Sequence, residues 1–385
     1  MENNILDSYS NIKSKIDPIN ALQYLRSLGR IWTVWPLDIE ASRLKKIYHE
    51  ISLWFIIVNL FFASITLWMS VCSCGKYPIL MAKNLSQLMI INDSFSHLIL
   101  YRLYRSDLSI LVQDVFKYME ICKNHERTKI QEYFVRFFII YISLIVMYII
   151  AALAFFCGAF ILKKDFPIDA SYPFSTDSAL MSTIIYTHQT FSIVQNATLI
   201  MIDFLVITLF WYSGARINIL GYRLQMIQNA DQLNLCIQEH QEIIRFIQYS
   251  VTAVQFIVFK TISIVAIIII SAGLQLIYYD AQIVGSQFSL IITVAILRMI
   301  TYSSTIDEMK ELNDNLRWKI YKSNWIQSIS NTNKNVQIFI HRCQSPIVVL
   351  HGRMFNIISL KFLAKLIYTS VSHLTTLRAI IERYS

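Results

Sequence analysis

Residues Phe137–Leu162 read FFIIYISLIVMYIIAALAFFCGAFIL, with no Asp, Glu, Lys or Arg. A bilayer core of about 30 Å is crossed by a helix of about 20 apolar residues, so this run is long enough to span. Four more runs have the same character. Ile51–Gly75 (ISLWFIIVNLFFASITLWMSVCSCG) and Ser178–Ile202 carry no formal charge, although the second holds His188, Gln195 and Asn196. Phe246–Tyr279 is interrupted only by Lys260, and Ala281–Leu297 follows with Asp280 as the only charge in the bend. Two further segments are apolar but spiked with charge: Pro78–Leu100 contains Lys83, Asp93 and His97, and Pro346–Ile381 contains Arg353, Lys361, Lys365 and Arg378. Helices of that kind turn a polar side toward other helices or water. The expectation is an all-α membrane protein with seven transmembrane helices.

Composition agrees. Of 385 residues, 55% are hydrophobic and 15% charged, against about 25% charged in soluble globular chains. Eight glycines and six prolines are too few for an all-β protein rich in tight turns. Six cysteines form no CxxC zinc pattern and no secreted disulfide framework, and Cys72 and Cys74 are too close for an unstrained bridge, so free thiols are expected. The opening MENNILDSYS lacks a basic-then-apolar pattern; no cleavable signal peptide is expected, and internal segments would direct insertion.

The net charge of +9 is informative through its placement. Lys and Arg before, between and after the seven runs sum to 23 on one set of alternate sides and 5 on the other, with Arg378, near the end of the last run, counted together with Arg383 in the tail. The positive-inside rule then predicts a cytoplasmic N-terminus and an extracellular C-terminus. This is inverted relative to seven-helix receptors that couple to G proteins. Residues 212–250 and 298–345, on the positive side, keep helical periodicity, with Leu220, Leu224 and Ile227, then Ile243 and Ile247, at helical spacing. Spans four, five and six are therefore expected to continue as cytoplasmic helices. Their apolar stripes suit either subunit contacts or packing within one chain.

Several short elements resemble those of insect odorant receptors. Tyr321-Lys322-Ser323-Asn324-Trp325 is similar to that family's Tyr-x-Ser-x-Trp element, and Arg342-Cys343-Gln344-Ser345-Pro346 to its Arg-x-Gln-x-Pro element. Ser359-Leu360-Lys361-Phe362 resembles a shortened Ser-Leu-x-x-Phe region. Thr369–Arg378 resembles the family's Ser-Tyr-Ser-Tyr-Phe-Thr-Leu-Leu tail, with Val371 and His373 where Tyr is usual and Leu374 where Phe is usual. Leu28-Gly29 with Trp35-Pro36 resembles its Leu-Gly-x-Trp-Pro element.

The resemblance implies a subunit of a ligand-gated, non-selective cation channel: a heterotetramer with a co-receptor, in the plasma membrane of an olfactory sensory neuron dendrite. The family's co-receptor has a large insertion between spans four and five; this chain's connection, 212–245, is short, so an odorant-tuned subunit is implied. The corresponding division is 1–50, a cytoplasmic N-terminal segment; 51–315, helices one to six with cytoplasmic extensions; and 316–385, a cytoplasmic anchor helix and the last, pore-lining helix. The anchor would draw on Trp318, Tyr321, Trp325, Arg342, Gln344 and Pro346, forming the tetramer's contacts.

In the last helix, Ser370, His373, Leu374, Leu377 and Ile381 fall on one stripe suited to a pore with a hydrophobic gate, with Arg378 at the outer mouth or snorkelling to the interface. A volatile, apolar ligand needs an aliphatic and aromatic pocket with a few polar atoms. The family places it in the outer half of the bundle. Met81, Asn84 and Leu88 in span two are candidates, with Tyr148, Ala152, Phe155 and Ala159 in span three. Ile184, His188 and Phe191 in span four and Gln275, Tyr278 and Tyr279 in span five complete the set. Each of these residues also fits ordinary helix packing.

Asp203, Asp93 and His97, inside spans, are expected to find partners or water, in packing or in a proton relay. Sequons at Asn84, Asn92 and Asn196 fall within spans and are not expected to be glycosylated. No GxSxG, Walker or HExxH pattern occurs, so no enzyme, metal site or cofactor is expected, and the partners are lipid, odorant and co-receptor rather than nucleic acid. A gustatory-type homotetrameric channel and a secondary transporter are the alternatives; the transporter lacks its usual repeated halves.

Overall fold

The structure, a computed structural model, describes residues 17–38, 40–75, 77–278, 282–323, 333–344 and 358–384. These form ten helices and no strand: α1 Pro18–Ile31, α2 Arg43–Ser73, α3 Pro78–Ile121, α4 Asn124–Ile161, α5 Ala179–Thr198, α6 Ile200–Gln225, α7 Ala230–Tyr278, α8 Gln282–Tyr321, α9 Asn333–Gln344 and α10 Leu360–Tyr384. Asp280 and the predicted residues Tyr279, Trp325 and Pro346 lie outside the described residues.

Five stretches are long and apolar enough to cross a membrane: α2, Phe137–Ile161 of α4, Ala179–Gln225 across α5 and α6, α7, and Val284–Tyr321 of α8. They coincide with the five clean runs. Helices α3 and α10, of 44 and 25 residues, are long enough but more polar. The run Ser178–Ile202 is not one helix: the chain breaks at Leu199, whose N–H is shared between the carbonyls of Gln195 and Asn196. The predicted extensions of spans four, five and six are helical. Helix α6 reaches Gln225, α7 starts at Ala230, and α8 reaches Tyr321.

Helix α6 is the centre of the bundle. Every residue from Ile200 to Ala215 is buried, as expected of a helix apolar on all faces. It packs on α4, α7 and α8; α2 packs on α3, α3 runs along α7, and α10 lies against α7 and α8. Side-chain caps set the ends. Asp17 accepts from the Ile19 N–H at 3.3 Å before Pro18, Ser178 accepts from Met181 at 3.2 Å, and Ser359 accepts from Phe362 at 3.0 Å. The start of α10 is pinned to α8: Asp307 accepts from the Leu360 N–H at 2.8 Å and Lys310 donates to the Ile358 carbonyl at 2.9 Å.

The Leu28-Gly29/Trp35-Pro36 pair acquires a physical reason. After α1 the chain reverses through Thr33, at φ 57°, and the Val34 N–H returns to the Gly29 carbonyl at 2.9 Å. Trp35 folds onto Gly29 and is 1% exposed. A Cβ on Gly29 would stand 2.8 Å from the Trp35 Cβ, where nothing can yield without moving the backbone. Gly29→Val should therefore cost about 1–3 kcal/mol by overpacking. A lower melting temperature of the detergent-solubilised protein is the expected outcome, and an unchanged one would show that the turn can relax.

Candidate functional site

Helices α3, α4, α5, α7 and α8 diverge around a cavity of about 110 Å³. Its walls are apolar. Ile90 and Ile91 come from α3, Ala151, Ala152 and Phe155 from α4, Ile193 and Ala197 from α5, Val265 and Ile268 from α7, and Ile291, Val294 and Ala295 from α8. Polar groups enter at few points: Gln87, Asp93, Tyr148, Asn196 and Arg298. The space exists because alanines face it from three helices while bulky Phe155 and the isoleucines hold the helices apart.

One end of the cavity is floored by charge. Asp93 accepts from Lys260 and, at 2.5 Å, from Arg298. Arg298 also reaches Asp203, by Nη2 at 2.9 Å and Nε at 2.7 Å, and the Tyr302 hydroxyl donates to the same carboxylate at 2.5 Å. Lys260 donates to Nδ1 of His97 at 2.6 Å, which leaves Nε2–H of that ring facing Asp203 at 3.4 Å. Arg298 is 5% exposed and Asp203 1%. Two carboxylates and two cations thus cancel inside the bundle, tying α3, α6, α7 and α8. Arg298 was counted above among the charges of a cytoplasmic connection. That is corrected here: it is buried and paired, and the bias without it is 22 to 5.

The other end is bordered by the segment between α4 and α5, which contributes Ile168 to the wall. Asp169 carries the attachment. Its carboxylate accepts from Lys83 at 2.8 Å, Lys164 at 2.9 Å and Gln87 at 3.2 Å; its N–H donates to Gln87 at 3.1 Å; its carbonyl accepts from Ser70 at 2.9 Å. The Ile168 N–H donates to Gln189 at 2.8 Å and Ser171 to the Thr66 carbonyl at 3.2 Å. Burial alone would raise the Asp169 carboxyl, but Lys83 and Lys164 outweigh it and hold the group below the usual carboxylate range.

Of the thirteen predicted ligand contacts, Tyr148, Ala152 and Phe155 line this cavity. Leu88 and Ala159 are buried in packing. Asn84 donates to Ser70 at 2.7 Å, His188 meets the Asn59 carbonyl at 3.3 Å, Phe191 meets Phe55 at a tilt with ring centroids 5.7 Å apart, and Gln275 donates to the Ile79 carbonyl at 2.9 Å. Met81 and Ile184 are exposed, and Tyr278 donates to the Arg378 carbonyl at 3.3 Å. The walls from α5 and α7 fall at other positions than those predicted on these helices, and the wall from α8 was not anticipated, because nothing local distinguishes a cavity-facing isoleucine from a packed one. Lys260 within one apolar run and Arg298 just past the end of another were the available signal.

Along α10, Ser370 is buried and Leu374 lies against α7, where a Cβ on Gly273 would approach it to 2.7 Å. His373, Leu377 and Arg378 are exposed and Ile381 is partly so. Trp318 and Tyr321 are exposed and meet edge to face at 6.4 Å, and Arg342 and Gln344 are exposed on α9. All six cysteines are free, and no cluster of metal-ligating side chains occurs among the described residues.

Compared with known proteins, residues 77–371 match the family model described as 7tm Odorant receptor. The chain belongs to the odorant receptor family. It is thus a multi-pass membrane receptor and not an enzyme. Its fold is similar to the insect olfactory receptor OR5 from Machilis hrabei, with a TM-score of 0.80 at 16% identity over 93% of this chain and 97% of that one. The same receptor solved in complex with eugenol gives 0.78 at 17% identity over 95% and 100%. No curated protein sequence matches the chain.

Two outcomes follow from this geometry. Asp93→Asn or Arg298→Met leaves an unpaired charge in the receptor's core at about 3–5 kcal/mol, so either variant should lose most monodisperse protein in detergent size-exclusion. Normal yield from both would mean that water reaches the cluster. Asp169, with its carboxyl depressed, strengthens the attachment above the ordinary carboxylate value of about 3.9 and loses that contribution only as pH falls through its own lower value. Hydrogen exchange of residues 166–171 should therefore stay protected between pH 7 and about 5, and Asp169→Asn should weaken that protection at about tenfold or more across the range. Equal protection in the variant would show that the carboxylate does not hold the segment.

Proposed function

We propose that this receptor is the odorant-tuned subunit of a ligand-gated, non-selective cation channel, assembled as a tetramer with a co-receptor in the plasma membrane. The observation that carries the reading is the apolar cavity bounded by five helices, with few polar atoms and no spare charge. It is the kind of site a small volatile requires. That a receptor of the same fold has been solved with eugenol supports an odorant as occupant.

In this reading α3 and α10 join the five apolar stretches to make seven crossings, with the N-terminus in the cytoplasm, as the Lys/Arg distribution implies. The exposed residues Trp318, Tyr321, Arg342 and Gln344 suit contacts with neighbouring subunits. The outward face of α10, which includes Thr369, His373, Thr376 and Ile380, is exposed among the described residues and suits a shared conduit. Helix α7 couples the two sites. It gives Val265 and Ile268 to the cavity and meets Leu374 of α10 at Gly273. A ligand favours the open arrangement only to the extent that it binds that arrangement more tightly.

Co-expressed with an insect co-receptor, the chain should give volatile-evoked cation current, and Ala152→Phe, which fills the cavity, should reduce the response at least about tenfold at unchanged surface expression. Full responses from the filled variant would remove this cavity from the mechanism. Current without a co-receptor, evoked by sugars or bitter compounds, would favour the gustatory-type homotetramer instead.

A further inference from the structure

The polar atoms of the cavity are not equivalent. Most are committed. Gln87 uses both ends of its amide on Asp169. Asp93 has one oxygen on Lys260 and the other on Arg298, and Arg298 is turned onto the two carboxylates and His97. Two donors remain. The Tyr148 hydroxyl, one helical turn from Ala152 and two from Phe155, has no hydrogen-bond partner among the described residues. Asn196 accepts at Oδ1 from Ser94, while its amide N–H₂ has no partner there. Both residues are partly accessible, and the cavity is the space they line.

Resting on the reading of this cavity as the odorant pocket, we infer that it selects neutral volatiles bearing a hydrogen-bond-accepting oxygen, held by the Tyr148 hydroxyl and the Asn196 amide, and disfavours both bare hydrocarbons and ions. An apolar ligand of the same skeleton expels water from the two donors and leaves them unpaired, which a site built around hydrogen bonds penalises strongly. A carbonyl, ester or ether oxygen pairs with them. A carboxylate or an ammonium meets a different barrier. The two carboxylates and two cations beneath the cavity already cancel, so an added charge is desolvated without a free counter-charge unless an existing pair is broken.

Heptan-2-one, acetophenone and ethyl butyrate, each beside the hydrocarbon of the same skeleton, would be applied with hexanoate and hexylamine as the charged arm. Receptor and co-receptor currents are recorded at matched surface expression. At least one oxygenated probe should exceed its hydrocarbon partner in potency by about tenfold or more, with both ions weaker still. Tyr148→Phe and the double variant Ser94→Ala/Asn196→Leu should each raise the EC50 of that oxygenated probe about 3- to 10-fold while leaving or lowering that of the hydrocarbon. A merely structural role for these residues would move both arms together. If Ala152→Phe silences the receptor but the ratio is unchanged in both polar variants, the pocket reading stands and this assignment falls. If Ala152→Phe has no effect, the pocket reading falls and this one with it. Hydrocarbons or ions as the strongest agonists, or silence to every probe, would overturn the assignment directly.

Discussion

The fold depends on one buried electrostatic balance, the pairing of Asp93 and Asp203 with Lys260 and Arg298. A charge in the interior of a membrane protein is costly unless paired, and the apolar surfaces of membrane helices find lipid nearly as good a neighbour as one another. Apolar packing therefore draws these helices together without strongly preferring one axial register. The ion cluster does prefer one. Sliding α8 by a turn, about 5.4 Å, would carry Arg298 away from both carboxylates, and the same displacement of α7 would strand Lys260. Four helices are held in register by groups that have no other place to go.

That floor also explains why the cavity next to it persists. Helices lined by alanine would close the gap if they could approach. Here α3, α7 and α8 are fixed at the cluster, and at the other end the intervening segment is tied to α3 through Gln87 and Lys83 and to α5 through Gln189. The walls between are spaced by isoleucines and Phe155, so small residues such as Ala151, Ala152, Ala197 and Ala295 border a void. Interiors are otherwise densely packed, and a void of this kind survives where the surroundings cannot collapse.

The sequence revealed the helices much more fully than the site, and the reason is one of range. Membrane-length helices are announced by composition over some twenty consecutive residues, so five of them were legible directly. The break at Leu199 was not, since no proline or glycine marks it. Tyr148, Ala152 and Phe155 were found because one helical face repeats at i, i+4 and i+7. Asp93 and Arg298 lie 205 residues apart, and no local pattern says that they meet. Arg298 was instead counted with the cytoplasmic extension of span six, because it follows an apolar run where the helix was expected to leave the membrane. The cavity walls from α5, α7 and α8 share that difficulty, being isoleucines and valines among many others.

Helix α7 shows why such long-range placements matter to function. Lys260 stands in the ion cluster, Val265 and Ile268 in the cavity wall, and Gly273 against Leu374, all on one continuous helix. From Ile268 to Gly273 is five residues, about 7.5 Å along the axis. In the channel reading proposed above, a displacement of the cavity wall too small to break the helix would be passed along it to α10, while Lys260 resists movement at the other end. Gly273 has no side chain to cushion that contact, and a Cβ there would press on Leu374. Rotation of α7 about its anchored end would move Leu374 directly. The polar floor that fixes the register and the close approach at Gly273 thus stand at two points of one helix, with the cavity wall between them.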